Sequence, residues 1–133
     1  MDDKITAVVK YPGEQPKTIA LETGLKPLQN IVGGMITGAD LPGIEGVFGY
    51  ANDEGLLIGM EPNIYRPEWK DALVGPLVFV GADDEGEDIS LTREQVSEIT
   101  DYLNENSVND FGEFLFHVET NFQHYKPKKQ AVM

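Results

Sequence analysis

The segment LVGPLVFVGA, residues 73–82, constrains the fold of this chain more than any other stretch. It is the most apolar run of the sequence and consists largely of Val and Leu. A short apolar run of this kind is typical of a strand, and we expect it near the centre of a sheet. Pro76 interrupts the run and lacks a backbone N–H, which predicts a bulge or an unpaired position there.

Four further strands are predicted before this segment. KITAVVKY (4–11) and KTIALE (17–22) are rich in β-branched residues and flank the loop PGEQP. This pattern predicts an opening hairpin. MITGAD (35–40) and GVFGYA (46–51) are predicted as two short strands joined by the loop LPGIE.

An early helix is predicted within TGLKPLQNIVGG, residues 23–34. Four apolar residues recur there at helical spacing: Leu25, Leu28, Ile31 and Val32. Thr23 or Gly24 can cap the start, and Pro27 is tolerated because it lies in the first turn. Gly33 and Gly34 can end the helix in the left-handed conformation.

The stretch YANDEGLLIGMEPN, residues 50–63, has two interpretations. Asn52 and Asp53 favour turns through side-chain to backbone hydrogen bonds, and Gly55 can adopt positive φ. We therefore predict a hairpin that enters along residues 47–50 and leaves along residues 56–58. The alternative is the wall of a ligand site. The following NIYRPEWKDA (63–72) is predicted as a polar connection.

Two helices are predicted at the C-terminal end. Thr92 and Gln95 form a capping box before an apolar stripe of Val96, Ile99 and Leu103, with Tyr102 on its flank. Asp110 can cap a second helix, whose apolar residues keep helical spacing: Phe111, Phe114, Leu115, Val118 and Phe122. The alternative for residues 114–118 is a strand with alternating inward side chains.

Short strands joined by short turns and followed by helices predict an α+β fold. We expect a mostly antiparallel sheet of about five to six short strands, one early helix and two C-terminal helices. The 133 residues fit one domain, which we place at 1–125, with a basic tail at 126–133.

Composition excludes several classes of site. The chain has no Cys, so it has neither disulfides nor a thiolate nucleophile nor a zinc–thiolate centre. No apolar run approaches the ~20 residues of a membrane span. The first four residues, MDDK, lack the basic and apolar start of a signal peptide. We expect a soluble, cytoplasmic protein.

The charge is strongly negative, with 23 acids against 10 Lys and Arg and a net charge of −13. Such a surface repels phosphate backbones and anionic membranes, so we expect no direct binding to nucleic acid or membranes. Solubility alone can account for this charge. The alternative is a basic protein partner. The oligomeric state stays open, with a homodimer among the alternatives.

Catalytic motifs are not evident. Nucleophilic catalysis would need Ser90, Ser97 or Ser107, and the two histidines are His117 and His124. No serine lies in a Gly-x-Ser-x-Gly elbow, and the glycines do not have the spacing of a phosphate-binding or dinucleotide-binding loop. We therefore predict a protein that is not an enzyme and needs no cofactor.

Two sequence patterns resemble metal sites, but we predict metal binding at neither of them. DDEGED (83–88) has the acids of a calcium loop, but Asp88 stands where an EF-hand requires glycine. Glu113, His117 and His124 could share one helix face, but no residues supply an evident second shell.

The acids are concentrated in the second half of the chain, where residues 83–119 hold 12 of the 23. Four of them recur at helical spacing as one stripe: Glu94, Glu98, Asp101 and Glu105. Like charges at this spacing cost a helix a few tenths of a kcal/mol per pair. The alternatives are a solvated outer face and a surface that binds a partner. The predicted partner surface adds the preceding loop: Asp83, Asp84, Glu85, Glu87 and Asp88.

Four motifs in a fixed order carry a resemblance: LQNIVGGMITG, NDEGLLIGMEPN, DALVGPLVFVG and DISLTREQV. With them, residues 4–105 resemble family 3846 of the domains of unknown function, common in bacteriophage and mobile-element genomes. The matching positions are Gln29, Gly33, Gly34, Asn52, Glu54, Gly55, Pro62, Asn63, Asp71, Gly75, Ser90, Leu91 and Thr92. Residues 44–46 and 111–130 depart from the family pattern.

The resemblance implies a phage or mobile-element protein that acts in the cytoplasm of a bacterial host. It does not indicate a particular reaction. We therefore predict an interaction protein that inhibits a basic, nucleic-acid-binding host factor by mimicking nucleic acid, such as an anti-CRISPR or antirestriction protein. One alternative is a virion or replication accessory protein. Another is a nucleotide-signal sponge, for which the candidate ligand residues are Gly33, Gly34, Asn52, Asn63, Arg66 and Trp69.

Overall fold

The computed structural model describes residues 4–108, which form an α+β domain. The strands are β1 (Lys4–Lys10), β2 (Lys17–Glu22), β3 (Ile36–Gly38), β4 (Val47–Asn52), β5 (Pro62–Arg66), β6 (Asp71–Val74), β7 (Leu77–Ala82) and β8 (Asp88–Ile89). The helices are α1 (Leu25–Val32) and α2 (Arg93–Glu105), with a 3-10 turn, η1, at Pro67–Trp69.

The main sheet has six strands in the order β2-β1-β7-β4-β3, with β8 pairing the end of β7, and every pair is antiparallel. The second half of the apolar segment, residues 77–82, therefore supplies the central strand, as predicted, and the opening hairpin of β1 and β2 is confirmed. Strands β5 and β6 form a separate two-stranded sheet.

The two helices cover opposite faces of the main sheet. Alternate residues of β7 point to opposite faces: Phe79 packs with Ile99 and Leu103 of α2. Val78 and Val80 pack in a second core with α1, which buries Leu28 and Val32. Because β7 contributes to both cores, its continuous run of apolar residues is explained.

Pro76, which lacks a backbone N–H, divides the apolar segment into two strands, whereas a bulge or an unpaired position within a single strand was predicted. β6 ends at Val74 in one sheet and β7 begins at Leu77 in the other, so Gly75 and Pro76 form the corner between the sheets. Gly75 has φ 75°, and a Cβ there would lie 2.5 Å from the sulfur of Met60. The corner therefore requires glycine for both its conformation and its space.

The predicted hairpin across residues 50–63 is wrong. β4 already pairs with β3 on one edge and with β7 on the other, so no edge is open to a returning strand. The chain turns instead through residues 53–59 and leaves Leu57 74% exposed. The positive φ of this turn lies at Gly59, at 71°, rather than at Gly55.

The predicted polar connection at residues 63–72 is also wrong, since it contains most of the β5–β6 hairpin with η1 at its tip. An ion pair between Arg66 and Asp71 closes this hairpin, with Nε–Oδ1 and Nη2–Oδ2 distances of 2.8 and 2.6 Å. The ion pair between these two charged residues therefore links β5 to β6 at the end of the hairpin.

The helix ends agree with the sequence. α1 ends at Gly33 in the left-handed conformation, with φ 84°, and begins after Gly24 without a side-chain cap. α2 begins at a capping box in which Thr92 and Gln95 exchange hydrogen bonds. The second C-terminal helix predicted from residue 110, its alternative strand, the candidate metal residues there and the tail at 126–133 lie outside the described residues.

Within residues 4–108, no helix has the length and apolar character needed to cross a membrane.

Candidate functional site

The acidic stripe of α2 lies on its outer surface. Glu94, Glu98, Asp101 and Glu105, called the acidic face below, are all exposed. On the other side of the helix, Ile99 and Leu103 are fully buried. Among residues 4–108, the salt bridges join other residues, Lys17 to Glu14 and Arg66 to Asp71. The described part of the chain therefore leaves the acidic face without a cationic partner.

A loop flanks the first turns of α2. Besides its capping bond, Gln95 donates from Nε2 to the carbonyl oxygens of Glu45 and Gly46, at 3.3 and 3.2 Å. The same Gly46 oxygen accepts the N–H of Ala82 at 2.9 Å. One carbonyl thus joins the start of α2 to the end of β7, where the DDEGED loop begins.

An open groove of about 670 Å³ lies between this loop and α2. Its lining residues are Gly43, Glu45, Thr92, Glu94, Gln95, Ser97 and Glu98. Of the described residues, three carboxylates and no cationic side chain line the groove, so it extends the negative surface of the helix.

The DDEGED loop is a tight turn, called the acidic turn below (residues 83–87). Oδ1 of Asp83 accepts the N–H groups of Glu85 and Glu87, both at 2.9 Å. This oxygen organises the backbone, and Gly86 adopts φ 81° to complete the turn. All five residues of the turn are exposed.

Asp88 differs from the other acids of the predicted partner surface. It is half-buried in β8 and accepts a 2.8 Å hydrogen bond from the hydroxyl of Tyr50. Burial, followed by this bond to Asp88, raises the pKa of Tyr50. Tyr50 packs in the core beneath α1, so Asp88 belongs to the opposite side of the sheet from the acidic face.

At its other end, α2 contacts the tip of the β5–β6 hairpin. The hydroxyl of Tyr102 donates to Oε1 of Glu68 at 2.6 Å. Burial, then this hydrogen bond, raises the pKa of Tyr102, and the same bond lowers the pKa of Glu68. Because Tyr102 lies between Glu98 and Glu105 along the helix surface, the tip lies beside the acidic face.

The same tip carries an exposed aromatic side chain. The guanidinium carbon of Arg66 lies 4.9 Å from the ring centroid of Trp69. Asp71 binds two nitrogens of this guanidinium, and the third donates to the carbonyl of Asp40 at 2.7 Å. Trp69 itself is 51% exposed. Arg66 is therefore a fixed support, and Trp69 is the group that solvent reaches.

The candidate ligand residues do not form one cluster. The N–H groups of Gly33 and Gly34 both donate to the carbonyl of Gln29. Asn52 is buried, donates to the carbonyl of Val32 and accepts the N–H of Glu54. These three residues hold the end of α1 against β4. The two glycine N–H groups and the side-chain amide of Asn52 are engaged within the chain.

Asn63, another candidate ligand residue, is buried with a lysine that the sequence analysis missed. Oδ1 of Asn63 accepts from Nζ of Lys10 at 2.9 Å, and its Nδ2 donates to the carbonyls of Lys10 and Gly75. Lys10 is 2% exposed, and burial lowers its pKa. Its strand position, in phase with buried Val8, was the available signal.

Within the described part of the chain, no group of three His, Asp or Glu side chains could hold a metal ion.

The family of this chain is identified by comparison with protein-family models. Neither the curated proteins nor the solved structures include a significant match to this chain. A family model described as a domain of unknown function, DUF3846, matches residues 5–104. That match covers almost all of the sheet and of both helices, and three of the four residues of the acidic face, Glu94, Glu98 and Asp101. The chain therefore belongs to the DUF3846 family.

Proposed function

We propose that this protein is a non-enzymatic interaction protein whose acidic face binds a basic partner protein. The observation that carries the proposal is the exposed row of four carboxylates on α2 without a cationic partner in residues 4–108. The acidic turn and Glu45 add negative charge beside the same helix. The carbonyl of Gly46 holds them there, because it accepts hydrogen bonds from both Gln95 of α2 and Ala82 at the end of β7.

The energetics of the helix support a role beyond folding. Like charges three and four residues apart oppose helix formation by a few tenths of a kcal/mol per pair. Interspersed lysines would remove this cost and keep the helix equally soluble. A basic partner offsets the repulsion when it is bound, and this gives a physical reason for four acids on one face.

The partner that fits this surface has a positively charged groove or patch. The acidic face alone carries one charge per ~5.5 Å at the α-helical rise. Duplex DNA carries one per ~1.7 Å, so a nucleic-acid-like charge density requires the acidic turn as well. In its most concrete form, the proposal is an anti-defence protein of a phage or mobile element that occupies the nucleic-acid groove of a host enzyme in the bacterial cytoplasm.

Affinity capture with matched baits tests the proposal. The acidic-face variant carries Glu94→Gln, Glu98→Gln, Asp101→Asn and Glu105→Gln. The control variant removes the same number of charges from exposed acids elsewhere, Glu22→Gln, Asp53→Asn, Glu54→Gln and Glu61→Gln.

Each bait is incubated with bacterial lysate, and bound proteins are eluted with increasing salt. We expect the wild type and the control to retain the same basic protein until the salt rises, because ionic contacts are screened, and the acidic-face variant to lose it. Equal retention by the acidic-face variant and the control would refute the proposal.

A further inference from the structure

Trp69 lies at the end of the acidic face in a setting that suits one kind of cation. The tip of the β5–β6 hairpin holds its indole on the guanidinium of Arg66, and Tyr102 of α2 bonds to the preceding residue, Glu68. This contact joins the exposed aromatic ring and the acidic face into one surface. Aromatic residues of this kind are the commonest energetic centres of protein interfaces.

We propose that Trp69 and Glu68 form an arginine-binding site, at which an arginine of the basic partner stacks on the indole and bonds to the carboxylate. The inference rests on the proposed function, because the acidic face supplies the attraction that brings a basic partner to this end of α2. It adds a preference for arginine over lysine that charge alone does not give.

The guanidinium of Arg66, which lies against the indole, is neutralised by an ion pair with Asp71. Arg66 makes hydrogen bonds of 2.8 and 2.6 Å with both carboxylate oxygens of Asp71. Its charge is therefore largely compensated, and it repels a second cation on the other side of the ring much less than a free guanidinium would. With one face of the indole on Arg66 and the residue 51% exposed, the ring offers a held, accessible stacking surface.

Glu68 supplies the second contact. A carboxylate has about four lone-pair positions. Tyr102 occupies one of them with its 2.6 Å hydrogen bond, and the backbone N–H of Glu68 itself engages another. The remaining positions suit the planar N–H groups of a guanidinium. Asp101 and Glu105 flank Tyr102 on α2. Among residues 4–108, the exposed carboxylates around this tip, Glu68, Asp101 and Glu105, outnumber its exposed ammonium, that of Lys70.

Arginine fits this site better than lysine for two physical reasons. A guanidinium is planar and weakly hydrated, so it can lie flat on an indole while its edge bonds to a carboxylate. An ammonium is compact and strongly hydrated, and it gains less from the ring. The discriminating feature of the site is therefore stacking, whereas the acidic face attracts both cations.

Trp69 is the single tryptophan of the chain, so its fluorescence reports the test directly. Oligoarginine and oligolysine peptides of equal length are titrated into the full chain, and binding is measured by calorimetry and by tryptophan emission. We expect a saturable change in emission with oligoarginine, a much smaller one with oligolysine, and tighter binding of oligoarginine.

Two variants then locate the preference. Trp69→Leu is expected to weaken oligoarginine binding roughly two- to fivefold, the range of an exposed cation–π contact, and to leave oligolysine binding unchanged. Glu68→Gln keeps the fluorophore and is expected to reduce the emission response to oligoarginine. The acidic-face variant is expected to weaken both peptides alike.

Equal affinities for the two peptides in the wild type, or an unchanged oligoarginine affinity in Trp69→Leu, would overturn the arginine site while leaving the acidic face intact. If the acidic-face variant loses binding of both peptides while Glu68→Gln and Trp69→Leu bind as the wild type does, the arginine site is likewise overturned. If the acidic-face variant binds both peptides as the wild type does, the proposed function fails instead.

Discussion

The two helices pack on opposite faces of one sheet and differ in what they present to solvent. Each buries aliphatic side chains against β7 or its neighbours, Leu28 and Val32 in α1 and Ile99 and Leu103 in α2. The eight residues of α1 include one charged side chain, Lys26, whereas α2 carries four exposed acids in one stripe. A helix can therefore pack on this sheet without an acidic outer face.

This difference separates the residues that build the fold from those available for binding. In both helices the apolar side chains pack against the sheet, so packing explains their presence. The acidic face has no counterpart on α1 and no cationic partner among residues 4–108. The apolar stripe of α2 therefore belongs to the core, and its acids are the part of the helix for which we propose a partner.

The largest expected effect tests the shared packing role. Leu103→Ala and Leu28→Ala should each reduce the free energy of unfolding by about 2–5 kcal/mol, because each removes a buried side chain and leaves a cavity. Urea denaturation followed by circular dichroism measures both. A large loss for one helix and a negligible loss for the other would contradict their equivalence in the core.

A second prediction concerns pH and the core on the α2 side. The folded-state pKa of Lys10 is lowered by burial, so the folded state bears the cost of burying its charge at neutral pH. This cost disappears as pH rises through the lowered pKa towards the ordinary value of 10.5. The unfolding free energy of the wild type, relative to Lys10→Met, should therefore increase between neutral pH and pH of about 10. A difference that stays constant or decreases over this range would contradict the burial of a charged lysine.

A smaller effect is expected at the helix starts. Thr92→Ala removes the capping box of α2 and should cost about 1 kcal/mol. Thr23→Ala is the control, since α1 begins at Gly24 without a side-chain cap, and its effect should be close to zero. Equal losses in the two variants would show that the start of α2 owes nothing specific to its cap.

The smallest effect isolates the cost of the acidic face. Glu98 has Glu94 four residues before it and Asp101 three residues after it. Glu98→Gln should raise the unfolding free energy by ~0.3 kcal/mol at low salt, and the gain should shrink as salt screens the repulsion. A lower unfolding free energy for Glu98→Gln would mean that the acidic stripe stabilises the fold. That result would contradict the comparison with α1, which packs on the sheet without such a stripe.

Much of this fold could be predicted from local signals. The apolar run, the glycine after α1 and the Thr92–Gln95 capping box each act within a few residues. The last two predictions are confirmed, and the predicted central strand is confirmed for residues 77–82. The failures depend on pairing between distant segments. Residues 56–58 contain apolar residues beside a turn, but both edges of β4 were already occupied.

The candidate site was predictable only in part. Helical spacing placed Glu94, Glu98, Asp101 and Glu105 on one exposed face. Which elements lie beside that face depends on contacts between residues far apart in sequence, such as Gln95 with the loop at 45–46 and Tyr102 with Glu68. No periodicity in a single chain reports such contacts. The sequence named Trp69 as a candidate ligand residue, but its place beside the acidic face emerged only from the structure.

An NMR titration of the isotope-labelled full chain with an oligolysine peptide tests the central claim most directly, because every backbone amide reports its own surroundings. The account predicts that the largest chemical-shift changes cluster on α2 and the acidic turn, while amides of α1 and those near Glu22, Asp53 and Glu54 change little. Changes spread over all exposed acids, or centred outside α2, would contradict it.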